Sequence, residues 1–150
     1  MLTTIEKVLF LQDIDVFAEV TTEQLSHIAS ITEEIEMDAD MTIMLQDEPA
    51  NALYLVVEGA VRLHRDGRDI LVAREKEVFG AWSLFDNEQA NVASATTLEP
   101  TRLLKIDREA FYEIVADYVE ITQGIFKSLA RRVRQLGERF MSAEREEANR

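Results

Sequence analysis

Any chemistry this chain performs must be done without a thiol and with two imidazoles. Cysteine is absent from the 150 residues, and His27 and His64 are the only histidines. They show neither His-x-His nor His-x₃₋₅-His spacing, so they suggest no metal centre. A nucleophile with an adjacent base cannot be assembled from them. The acidic pairs Glu33-Glu34 and Asp47-Glu48 lie in polar runs and read as solvated surface. We therefore expect no catalytic residue, no metal and no cofactor. The stretch that most resembles a site is "EVFGAWSLFDNEQANVASATT", from Glu77 to Thr97. Phe79 and Gly80 precede what reads as one helical turn beginning at Ala81. A helix start after a glycine can aim free backbone N–H groups at an anion. No Lys or Arg falls within these 21 residues, however. Gly80 equally makes a tight turn, which is the reading we favour. Ser83, Asn91 and Ser94 can line a neutral polar pocket or bond to nearby backbone. Trp82, the only tryptophan, can stack on a flat ligand or fill interior volume, and we expect packing.

Elements must position these residues, and the hydrophobic period supplies them. Residues 3–30 read as a helical pair. In "TTIEKVLFLQ" the spacing places Ile5, Val8 and Leu9 on one face. Thr21 or Thr22 caps a second helix carrying Leu25, Ile28 and Ala29. Between about 32 and 106 the period shortens. "ITEEIEM", "MTIML", "ALYLVVE", "AVRLHRD", "DILVAR", "NVASATT" and "TRLLKI" are strand-like runs separated by turn residues. Asp66-Gly67 is the clearest hairpin signal. Strands at this density argue for a closed sandwich or barrel rather than βαβ units. From 107 to 148 the chain returns to helix, with Asp107 as N-cap of a short helix and a long helix from about Tyr118. Phe126, Leu129, Val133, Leu136 and Phe140 are spaced 3, 4, 3, 4, a heptad seam of about two repeats.

Composition restricts the partners. A hydrophobic fraction of 47% and mean hydropathy of −0.13 belong to a globular chain with one core. No apolar run approaches the ~18 residues of a membrane span, and the first residues show no signal-peptide pattern. The absence of Cys fits a reducing compartment, so we expect a cytoplasmic protein. Net charge is −13. Residues 1–100 carry 6 Lys/Arg against 20 Asp/Glu, and residues 101–150 carry 10 against 9. Such an acidic surface disfavours direct binding of nucleic acid.

The order of these segments resembles the cyclic nucleotide-binding domain of catabolite-activator-type regulators, protein kinase A regulatory subunits and cyclic-nucleotide-gated channels. The likeness covers roughly Leu9 to Leu136. It is carried by "LYLVVEGAVRL" (53–63), "FGAWSLF" (79–85), "LLKIDREAFYEIV" (103–115) and "LARRVRQL" (129–136). The resemblance implies a mainly β fold with flanking helices: a jelly-roll-like β-roll of the double-stranded β-helix kind, an N-terminal helical pair, then a short and a long C-terminal helix. It also implies a non-catalytic regulatory or sensor domain, read by a linked or associated effector. The ligand cassette would then be Phe79, Gly80, Ala81, Trp82 and Ser83, with Asn91 and Ser94 opposite.

This chain departs from that family where the ligand is held. The resemblance implies a glutamate directly after the glycine, for a ribose hydroxyl, and an arginine about ten residues on, for the phosphate. Here those positions are Ala81 and Asn91. Two glycines usual in the preceding hairpin are absent, with Asp40 and Asp47 near their places. One charge-assisted hydrogen bond contributes about 1.5–3 kcal/mol, and ~1.4 kcal/mol is tenfold in affinity. Losing both contacts moves a micromolar site to about millimolar or weaker. We expect a degenerate cassette that does not bind cAMP or cGMP in the usual way. A weak or atypical nucleotide binder, and a ligand-free dimerisation module of a larger protein, remain the alternatives. The heptad seam fits packing on the roll or pairing with a second copy, and we expect the homodimer. The whole of 1–150 is expected to form one such domain.

Overall fold

The structure, a computed structural model, describes residues 1–150 apart from Asn87, Gln89 and the side chain of Trp82. Thr3 starts α1 (Thr4–Gln12) with a reciprocal capping box, its hydroxyl accepting from Glu6 N while the Glu6 carboxylate accepts from Thr3 N. A 3₁₀ turn (Asp15–Phe17) leads to α2 (Thr22–Ile31), capped by Thr21. Eight strands follow: β1 (Glu33–Met37), β2 (Thr42–Met44), β3 (Ala52–Glu58), β4 (Val61–Arg65), β5 (Arg68–Ala73), β6 (Val78–Phe79), β7 (Ser94–Thr97) and β8 (Thr101–Asp107). A second 3₁₀ turn (Ala81–Leu84) stands between β6 and β7. The chain ends in α3 (Arg108–Asp117), capped by Asp107, and α4 (Glu120–Ala148).

The strands form two antiparallel four-stranded sheets, ordered β1-β8-β3-β6 and β2-β7-β4-β5. This is the β-roll with flanking helices that the sequence leads one to expect. β3 explains how the layers join. Its run "ALYLVVE" is buried at six successive positions, because both faces are covered. Leu53, Leu55 and Val57 point to the helices and join Leu11, Phe17, Leu25, Ile28, Phe111, Ile121 and Ile125. Ala52, Tyr54 and Val56 point into the roll, with Val61, Leu63, Phe79, Ala95 and Leu103. The β4–β5 hairpin turns at Asp66 (φ 51°) and Gly67 (φ 77°), the two left-handed residues its tight loop requires. Asp40 and Asp47, which stand where glycines were expected, are left-handed too (φ 61° and 65°). Aspartate tolerates that region better than most residues.

Two local expectations need correction. On α1 the buried face is Val8 and Leu11, while Ile5 and Leu9 are 74% and 57% exposed. Two overlapping apolar stripes run along this helix, and packing against α2 selects one. The two-residue strand β6 was not expected, because two residues are too few to display a period. It pairs Phe79 with Tyr54 and Val78 with Leu55, and so fixes the start of the cassette.

Helix α4 is 29 residues long, about 43 Å at 1.5 Å per residue. Its first turns are docked. Ile121 and Ile125 enter the core. Gly124 meets the chain so closely that an added Cβ would lie 2.9 Å from Val20 Cα. Ser128 Oγ accepts from Glu19 N and donates to Gly124 O, both at 2.9 Å. Arg131 and Arg132 reach Glu19 and Asp15 at 2.6 and 3.2 Å. Every residue from 131 to 150 is exposed. Among the described residues no helix is long and apolar enough to cross a membrane.

Candidate functional site

Gly80 sets the geometry of the cassette. Its φ is 76°, and a Cβ there would lie 2.6 Å from Ala52 O. The left-handed turn and the close backbone approach both demand glycine. Next to it the 3₁₀ turn is held by Ser83. Ser83 N donates to Gly80 O at 3.1 Å. Ser83 Oγ lies 2.7 Å from Ala52 O and 2.6 Å from Gly80 O, so its single proton is divided between two carbonyls. Ser83 is buried, and its hydroxyl staples the turn to β3.

Below this turn opens a cavity of about 430 Å³. Met44, Ala50, Leu63, Ala90, Val92 and Ala93 give it an apolar wall, and Gly80, Ser83, Asn91 and Asp86 complete it. Of the cassette residues expected from the sequence, Gly80, Ser83 and Asn91 thus come together. Phe79 instead packs in the roll, stacked on Tyr54 with centroids 5.1 Å apart. Ser94 Oγ accepts from Gln46 N at 2.9 Å and ties β7 to the loop after β2. The Trp82 side chain, expected to fill the roll, lies outside the described residues. Ala81 lines a second crevice of about 390 Å³ between the cassette and α4, shared with Val78, Leu129, Lys76 and Arg132.

The electrostatics of the cavity oppose an anion. Asp86, which sequence reasoning passed over, is the only charged residue lining it among the described residues. Asn91 donates from Nδ2 to Leu45 O at 2.9 Å, and its backbone exchanges bonds with Asp47 and Glu48. Arg65 stands just outside. It donates to Val92 O and to Asp47 Oδ1, both at 2.9 Å, and sits 3.8 Å from Asp66. Its charge is already met by two carboxylates.

The histidines stand in separate places. His27 stacks on Tyr118 with centroids 3.6 Å apart, and His64 Nε2 lies 3.0 Å from Thr96 Oγ1. On α4 the expected seam divides. Leu129 is half-buried on the roll, whereas Phe126, Val133, Leu136 and Phe140 are 50–68% exposed.

A β-roll with a cavity under a glycine turn and a long helix packed beside it is the architecture of a regulatory or sensor domain. Residues 34–118 match the cyclic nucleotide-binding domain, and the chain belongs to that family. It is 32% identical over 118 residues to the CRP-like cAMP-activated global transcriptional regulator of Mycobacterium tuberculosis, covering 73% of this chain and 52% of that protein. It is 34% identical over 98 residues to the cyclic AMP receptor protein of Thermus thermophilus, covering 62% and 45%. Among solved structures, the N-terminal domain of a transcriptional regulator from Streptomyces coelicolor A3(2) superposes with a TM-score of 0.78 at 28% identity, covering 86% of this chain and 95% of that one. The chain spans about half the length of these curated relatives.

Proposed function

We propose that this chain is a non-catalytic regulatory domain whose cassette cavity does not hold cAMP or cGMP by the contacts its family uses. The observation that carries this reading is the cavity itself. Its described lining has no cation and its one charge is the carboxylate of Asp86, while the residues that the family resemblance puts at the two ligand-holding positions are Ala81 and Asn91. A phosphate entering there would meet a negative charge with no described counter-charge in the wall. Calorimetry with cAMP and cGMP up to millimolar concentration tests it. We expect no heat of binding, and micromolar binding of either nucleotide would overturn the reading.

The second reading, a weak or atypical nucleotide binder, is favoured by one observation: two relatives are named for cyclic AMP. In the same titration it would appear as millimolar binding.

Output from the domain would run through α4. The crevice shared by Ala81 and Leu129 places the cassette against the start of that helix. Beyond it, Val133, Leu136 and Phe140 are half or more exposed among the described residues, a pattern that favours a homodimer through the C-terminal helix. We take residues 1–150 as one domain acting on a linked or associated effector in the cytoplasm, with no nucleic acid bound directly by this segment. Light scattering tests the assembly, and a monomer at tens of micromolar would count against it.

A further inference from the structure

The wall of the cassette cavity also indicates what it would accept. We propose that it binds a mainly apolar small molecule with a cationic amine head, with Asp86 as counter-ion. The inference rests on the reading that this cavity is the domain's ligand site.

Two properties of the wall agree. The first is charge. Asp86 is the only ionised group lining the cavity among the described residues, and the neighbouring Arg65 is offset by Asp47 and Asp66. The local field is negative within a strongly acidic chain. It attracts cations and repels anions.

The second property is hydrogen-bond polarity. Among the described residues, acceptors outnumber the free side-chain donors in the wall. The Ser83 proton goes to Ala52 O or Gly80 O, and one of the two Asn91 Nδ2 protons goes to Leu45 O. Against the one amide proton left stand the Asp86 carboxylate, which among the described residues accepts only Glu88 N at 3.0 Å, and the Asn91 side-chain oxygen, which accepts nothing among them. An ammonium has three donors and no acceptor. A phosphate or carboxylate offers the reverse. The apolar remainder of the wall, Met44, Leu63, Val92 and Ala93, would cover a hydrocarbon or aromatic body.

The test uses matched probes that differ only in the head group. Tryptamine, tryptophol and indole-3-propionate form one set, and hexylamine, hexanol and hexanoate a second of different shape. Each is titrated by calorimetry into the wild-type chain and into Asp86→Asn. Asp86 is exposed, so that variant keeps the fold. In at least one set we expect the amine to bind tightest and the carboxylate not at all. Asp86→Asn should weaken the amine about two- to fivefold and leave the alcohol unchanged. The proposal is overturned if the carboxylate binds as well as the amine, if Asp86→Asn leaves amine binding unchanged, or if neither amine binds at millimolar concentration. A parallel titration with cAMP separates the two readings. Micromolar binding of cAMP would sink the proposed function, whereas silent amines with silent cAMP sink only this inference.

Discussion

At the scale of single residues, Gly80 and Tyr54 make opposite demands on the cassette, one for absence of a side chain and one for its burial. Gly80→Ala must hold a left-handed backbone and place a methyl against Ala52 O. Strained backbone of this kind costs about 1–3 kcal/mol. In a domain this size Tm should fall by roughly 2–12 °C, read by calorimetry or circular dichroism. Tyr54 stacks on Phe79, and burial is the main cause that raises its phenol above the ordinary value, with Asp107 and Glu33 adding to the rise. The unfolded chain therefore ionises this tyrosine first. Its contribution is intact below about pH 10 and is lost as the pH rises above that. Tyr54→Phe should flatten the alkaline fall in Tm above about pH 10. An unchanged slope would show that other groups govern it.

Among elements, α4 is docked over one end and bare over the rest. Gly124→Ala gains helix propensity of about 1 kcal/mol, but its methyl would press on Val20 Cα at 2.9 Å. Overpacking costs about 1–3 kcal/mol, so the docked turns should loosen. Hydrogen exchange of residues 121–129 should quicken in this variant, and unchanged protection would mean the contact gives way freely. The elements also show how far the sequence can be read. Caps at Thr21 and Asp107, the Asp66-Gly67 hairpin and the strands around β3 were legible, because each rests on local chemistry or a sustained period. The buried side of α1 was not, since Ile5/Leu9 and Val8/Leu11 are equally apolar and only tertiary packing separates them. β6 was too short to show alternation. In the cassette, Gly80, Ser83 and Asn91 could be picked out by type. That Ala81 lines a different crevice, that Ser94 is spent on Gln46, and that Asp86 borders the cavity all depend on how β6 and the 3₁₀ turn after it are oriented.

For the molecule as a whole, the roll is a frame with a cavity on one side of the cassette turn and α4 across a crevice on the other. The exposed stripe on α4 is a whole-molecule feature, because apolar side chains at heptad spacing are covered when two such helices pair. Val133→Glu with Leu136→Glu lies outside the core. It should leave Tm of the roll within about 1 °C while halving the mass seen by light scattering. A dimer that survives both changes would place the interface elsewhere. The frame of the family persists here, and we propose that its nucleotide contacts do not. Calorimetry with cAMP on the wild type beside Ala81→Glu/Asn91→Arg tests this. We expect no binding by the wild type up to millimolar cAMP, and a gain of tenfold or more when the two side chains are restored, at about 1.4 kcal/mol per decade. Micromolar binding by the unaltered chain, or no gain in the double variant, would overturn the proposal.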